Sequence, residues 1–191
     1  MYTRNNRINT LTDKTLIHFA HANGFPSGSY KKLFKHFSAH TDVFALDKFG
    51  HNEHFPINKN WSYLIKELIQ HVSRNASKPV VAVGHSFGAV ISYMAVCQRP
   101  ELFSGLIMLD PPVVTGTSRV LVKIVKKLPI IDKVTPAGKA KTRKTHWPES
   151  TDLAKLFAKK KLFANFDPDC LQHYVDVATV HRNGQQELLF S

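Results

Sequence analysis

The 191-residue sequence predicts an α/β fold, a mostly parallel sheet covered by helices on both faces. Three observations carry this. Short apolar runs recur along residues 15–110, stretches with a period of about 3.6 residues lie between them, and Gly, Asn or Pro follows most runs.

Thr15-Leu16-Ile17-His18-Phe19-Ala20 is the first run, and the turn-rich His21-Ala22-Asn23-Gly24-Phe25-Pro26 stops it as a buried strand. Tyr30, Leu33, Phe34 and Phe37 then fall at helical spacing behind Ser27-Gly28-Ser29. Val43-Phe44-Ala45-Leu46 is a second strand, ending at Asp47 with Gly50 and Asn52 in the turn. Trp61, Leu64, Ile65, Leu68, Ile69 and Val72 form the stripe of an amphipathic helix. Pro79-Val80-Val81-Ala82-Val83 has the continuous β-branched character of a strand buried on both faces. Ala89 to Cys97 is a buried helix stopped near Pro100, and Gly105 to Asp110 is a further buried strand closed by Pro111-Pro112.

Beyond Pro112 the pattern changes. Residues 113–185 read as helical pieces without a strong strand, punctuated by Pro129, Pro136, Gly138, Pro148 and Pro168. Val120, Leu121, Ile124, Val125 and Leu128 mark a basic amphipathic helix, and 151–162 and 168–180 read as helices too, the latter through Leu171, Tyr174, Val175 and Ala178. The expected organisation is a core over 1–112, a helical cap or lid over 113–185, and the start of a return to the core over 186–191. No internal repeat or low-complexity tract is present.

Composition bounds the setting. Two cysteines, Cys97 and Cys170, cannot build a disulfide framework and sit in no metal-ligand pattern, which suits a reducing cytoplasm. The opening MYTRNNRINTLTDKT has no apolar signal core, and no run approaches the ~20 apolar residues of a membrane-spanning helix. The net charge of +12 is concentrated in 119–161, where 13 bases face Asp132, Glu149 and Asp152. Such a segment attracts anionic substrates, nucleic acid or an acidic membrane, or it is a solvated face that keeps the protein soluble. No specific nucleic-acid partner is implied.

The chemistry-bearing motif is Gly84-His85-Ser86-Phe87-Gly88, set directly between a buried strand and a buried helix. A serine on such a sharp turn takes strained backbone angles, and its neighbours two residues away on each side must be small so that strand and helix pass closely. The turn raises the Ser86 hydroxyl above the sheet, and the helix N-terminus offers N–H groups, Phe87 first, to a developing oxyanion. The competing readings are a tight turn without chemistry or a phosphate loop, but neither the dinucleotide glycine pattern nor a P-loop lysine is present.

These stretches together resemble the α/β-hydrolase superfamily over residues 15–191. Ile17 to Pro26 resembles its first strand and oxyanion loop, in a His-Ala-Asn-Gly-Phe-Pro form. Leu46-Asp47-Lys48-Phe49-Gly50-His51 resembles its Asp-x-x-Gly-His-Gly turn, with Asn52 in place of the last glycine. Leu109-Asp110-Pro111-Pro112 resembles the end of the following strand, and His146 to Ser150 and Leu162 to Pro168 match a cap.

The resemblance implies hydrolysis of a carboxylic ester or thioester of a small-molecule acyl substrate through an acyl-enzyme on Ser86. Phe87 and Asn23 N–H groups would serve as oxyanion donors, with no metal or organic cofactor. Asn23-Gly24 also reads simply as a turn needing positive φ, and His21 as a brace for its loop. Trp147 and Phe166 are candidate pocket residues of the cap. In this superfamily an acid and then a histidine follow the serine, beyond later strands. Asp110 is the in-chain candidate for the acid, against a local loop role, while His146, His173 and His181 fall in the cap region. The chain is therefore expected to be a fragment, inactive by itself, or else a non-catalytic small-molecule-binding relative.

Overall fold

The computed structural model describes residues 14–37, 41–112 and 144–189. Four parallel strands, β1 (Thr15–Ala20), β2 (Thr41–Ala45), β3 (Val80–His85) and β4 (Phe103–Leu109), form one sheet in the order β2-β1-β3-β4. Parallel neighbours need crossovers, and the helices α1 (Lys31–Phe37), α2 (Ser62–Asn75) and α3 (Phe87–Gln98) lie on them. The expected parallel sheet with helices on both faces is therefore present.

The alternation of side chains along β1 divides the core in two. Ile17 and Phe19, with Val83, face Leu33, Phe34 and Phe37 of α1. Ala20 and Val80 lie in the other cluster, with Leu64, Ile65, Leu68 and Val72 of α2 and Ile91 and Ala95 of α3. The registers pair Ala20 with Gly84 and His85 with Leu109, so β1, β3 and β4 finish at one common edge. Loops that leave this edge converge on whatever site the sheet carries.

Residues 144–189 make a second, smaller unit. Helices α4 (Leu153–Ala158) and α5 (Pro168–Ala178) pack with an antiparallel sheet of β5 (His146–Pro148), β6 (Thr179–Arg182) and β7 (Gln185–Leu188), in the order β5-β7-β6. Its core is Trp147, Leu153, Phe157, Phe163, Leu171, Tyr174, Val175, Ala178 and Leu188. The unit docks on the segment after β1. Phe25 lies 5.0 Å from the Tyr174 ring and 6.0 Å from Phe163, and a Cβ on Gly28 would meet Val177 at 2.7 Å.

Four sequence expectations change here. Residues 113–185 read as helical pieces without a strong strand, yet the short strands β5 and β6 lie within them. The deciding signal is Asn183-Gly184, with φ of 49° and 71°, a two-residue turn whose twist suits a hairpin. Thr179 and Val180, expected to end a helix, begin β6, where their branched Cβ atoms fit the pleat. Residues 186–188 do not start a return to the large core: β7 pairs with β5 and β6, and Leu188 is buried in the smaller core. Trp61, expected inside α2, instead precedes it in the left-handed region at φ 56°. The basic helix expected over 120–128 lies outside the described residues.

Candidate active site

β3 ends at His85, α3 begins at Phe87, and Ser86 makes the turn between them at φ 51° and ψ −115°. A non-glycine residue held there costs about 1–3 kcal/mol and persists only where its surroundings over-determine it. Here they do. The Ser86 N–H donates to Leu109 O on β4 at 2.8 Å, and Ser86 O accepts the Ala89 N–H at 3.1 Å.

The flanking glycines allow the close approach. A Cβ on Gly84 would sit 2.5 Å from Ala89 Cα and Gly88 O. A Cβ on Gly88 would sit 2.1 Å from Ala20 O and 2.5 Å from His21 O. The first turn of α3 thus rests directly on the backbone that ends β1. The geometry brings Phe87 and the loop around Asn23 to the same edge of the sheet.

Among the N–H groups on that loop, two are engaged. Ala22 N–H donates to Tyr30 Oη at 3.1 Å and Phe25 N–H to Ala22 O at 3.0 Å. Asn23 is exposed at the tip, and Gly24 follows it at φ 76°. Phe87 is the first residue of α3, where a helical N–H has no carbonyl one turn back.

His21 is fixed as a brace. Its Nε2 accepts the Phe49 N–H at 3.0 Å, so the ring proton sits on Nδ1 and donates to Ala22 O at 2.8 Å. Burial pushes its pKa down, which keeps the ring neutral. His85, half-buried, is 2.7 Å from Tyr30 Oη through Nδ1. Burial lowers its pKa as well, against an opposing pull from the nearby charge of Asp110.

Asp110 is exposed, at φ 44°, immediately after the carbonyl that holds Ser86. Of the other histidines, His146 lies 3.7 Å from Glu187 and His181 3.4 Å from Glu149, both within the smaller unit. His173 is on α5 with Nδ1 buried. None of the three is hydrogen-bonded to Ser86 among the described residues.

Phe166 reaches the Asn23 loop, its ring 6.1 Å from Phe25. Trp147 differs from its expected place in a pocket. It is 4% exposed, edge-on to Phe157 at 5.5 Å, and serves as a wall of the smaller core. A cleft of about 680 Å³ between α1 and α5 is lined by Lys31, Lys35, His36 and His173, and Ser86 takes no part in it. Tyr30 and His85 were the residues that sequence reasoning passed over. By spacing Tyr30 belongs to the helical stripe, and His85 stands at a variable position of the motif.

The profile of the Alpha/beta hydrolase family matches residues 19–187. A monoglyceride lipase homolog of monkeypox virus is 35% identical over 107 residues, 51% of this chain and 38% of that protein. The monoglyceride lipase of Rattus norvegicus is 32% identical over 108 residues, 52% of this chain and 36% of its own length. Among solved structures, the thioesterase domain from the curacin biosynthetic pathway superposes at a TM-score of 0.66 with 14% identity, covering 94% of this chain and 65% of that one. E-2-(acetamidomethylene)succinate hydrolase gives a TM-score of 0.66 with 17% identity, over 93% and 61% of the two chains. At such identities the likeness is one of fold. The chain thus matches little more than a third of the length of these two relatives. No helix among the described residues is long and apolar enough to cross a membrane.

Proposed function

Because the chain belongs to the alpha/beta hydrolase family, we propose that it is a serine hydrolase that cleaves a carboxylic ester or thioester through an acyl-enzyme on Ser86. The observation that carries this is the strained Ser86 backbone, held between β3 and α3 by glycines that no larger residue can replace. Strain of this kind persists where a side chain must be presented, here above the C-terminal edge of the sheet.

In the proposed reaction Ser86 Oγ attacks the acyl carbonyl carbon, and its proton passes to a base. The carbonyl oxygen becomes an oxyanion held by the Phe87 and Asn23 N–H groups. Collapse expels the alcohol or thiol, which takes up the proton, and water then releases the carboxylic acid by the same path in reverse. Asp110, beside the elbow, is proposed as an acid that orients such a base. Phe166, against Phe25, is proposed to line the acyl or leaving-group side of the site, whereas Trp147 acts through the fold. The basic character of 119–161 favours anionic acyl substrates.

Hydrolysis of p-nitrophenyl acetate and acetyl thioesters by the full-length protein, set against its Ser86→Ala variant, tests the reading; the 191-residue chain by itself is expected to show little turnover. A fall of at least about 1,000-fold on substitution is expected. Equal rates from the two proteins, or ligand binding without any turnover, would instead favour the same scaffold used as a binding protein.

A further inference from the structure

The two proposed oxyanion donors belong to different parts of the chain: Asn23 to the loop after β1, Phe87 to the first turn of α3. Something has to fix the distance between them. One side-chain hydroxyl reaches both the loop and the last residue of β3, two positions before Phe87. Tyr30 ends the 3-10 turn at Ser27–Tyr30, and its Oη lies 3.1 Å from the Ala22 nitrogen and 2.7 Å from His85 Nδ1.

The direction of the first bond follows from its donor, and the second is assigned from it. An amide N–H can only donate, so Tyr30 Oη accepts from Ala22. We assign the hydroxyl proton to the bond with His85 Nδ1, which accepts it, and the ring proton of His85 to Nε2. The ionisation states agree with this. Burial pushes the Tyr30 phenol up to about 12, so it keeps its proton, and lowers the His85 pKa, so its ring keeps a free lone pair. The ring of Tyr30 is itself clamped, 4.6 Å from Phe19 and 6.3 Å from Phe34, which leaves the hydroxyl little freedom.

From this geometry we infer that Tyr30 is a positioning residue of the acyl-transfer site. Its hydroxyl ties the residue before Asn23 to the residue before Ser86 and so sets the spacing of the Asn23 and Phe87 N–H groups. The inference rests on the Ser86 reading above. It assigns Tyr30 no contact with substrate. Its effect passes through Ala22 to Asn23 on one side and through His85 to Ser86 and Phe87 on the other. Oxyanion donors lose effect steeply when displaced, and a misplacement of about 1 Å costs on the order of 100-fold in rate.

Tyr30→Phe removes only the hydroxyl and keeps the ring contacts, and it is tested by two measurements on the full-length protein. Hydrogen exchange and ¹⁵N NMR read the strut itself. The Ala22 amide is expected to lose at least about ten-fold in protection, and the His85 Nε2–H tautomer to lose its dominance, with the thermal midpoint little changed. An alkyl fluorophosphonate reads the site. Its second-order rate of labelling at Ser86 is expected to fall about 10–100-fold, and any ester turnover to fall through kcat rather than KM.

Unchanged Ala22 protection and His85 tautomer in the variant would overturn the strut. A lost strut with an unchanged labelling rate would overturn its role in positioning and leave the Ser86 reading standing. A full-length wild-type protein that the probe does not label would overturn the Ser86 reading, and the positioning role with it.

Discussion

The parallel sheet and the smaller unit are held together by different means. Around Ser86 the decisive contacts are backbone on backbone, and the absent Cβ of Gly88 is what lets α3 sit on the end of β1. In the smaller unit the contacts are between rings: Trp147, Phe157, Phe163 and Tyr174 pack with centroids 5.0–6.1 Å apart, around a hairpin whose Gly184 has nothing within 4 Å of a built Cβ. Backbone contacts tolerate no added atom, whereas ring clusters adjust by rotamer. The strict geometry lies where the chemistry is proposed, and the adaptable geometry lies in the unit beside it.

Substitution of one glycine in each region sharpens this contrast. Gly88→Ala places a methyl 2.1 Å from Ala20 O, and α3 has to lift off the sheet. A loss of more than about 4 kcal/mol, or failure to fold, is expected. Gly184→Ala meets only the strain of its φ of 71° and should cost about 1–2 kcal/mol. Urea denaturation of the two variants compares them, and similar losses would mean that the elbow is no tighter than the hairpin.

Acid should act chiefly on the larger core. His18 is fully buried on β1, its Nε2 3.2 Å from His71 Nδ1, and burial lowers its pKa from 6.5 to about 3. The unfolded chain takes up a proton near pH 6.5 that the folded chain refuses until about pH 3, so stability is fully present above pH 6.5 and declines as pH falls through that window. His18 alone removes about 2–3 kcal/mol by pH 4.5. His21, His71 and His85, also lowered by burial, act in the same direction. Denaturation midpoints from pH 7 to 4.5 measure this slope, and His18→Leu should flatten it whatever its effect at pH 7. A slope unaltered by that substitution would place the acid sensitivity elsewhere.

The smallest effects are expected where the two regions meet. Asp167 caps α5 by accepting from the Asp169 and Cys170 N–H groups, and it also pairs with Lys32 of α1 at 2.7 Å. The ion pair is exposed and screened, so the cap carries most of the contribution. Asp167→Ala should lower the thermal midpoint by a few degrees and Lys32→Ala by less. The reverse order would make the ion pair, rather than the cap, the fastening between the units.

The same contrast explains what was legible in the sequence. β1, β3 and α2 were readable because burial leaves a period in the letters, and the elbow because Gly84 and Gly88 answer to a single steric demand. The smaller unit obeys local turn chemistry. Its strands are three and four residues long, too short for alternation to register, and only Asn183-Gly184 announced the hairpin. Trp61 fitted the α2 stripe by spacing, but the preceding Asn60, at φ 62°, turns the chain before the helix begins. At the site, Ser86 follows from its motif. The Tyr30–His85 contact joins residues 55 apart, and no local pattern encodes such a pairing.

The most direct measurement of the central assignment is mass spectrometry of the full-length protein after exposure to an alkyl fluorophosphonate. The account predicts one adduct, on the peptide that carries Ser86, absent from Ser86→Ala and from chain unfolded beforehand in urea. An unlabelled folded full-length protein, or an adduct on a residue other than Ser86, would contradict it.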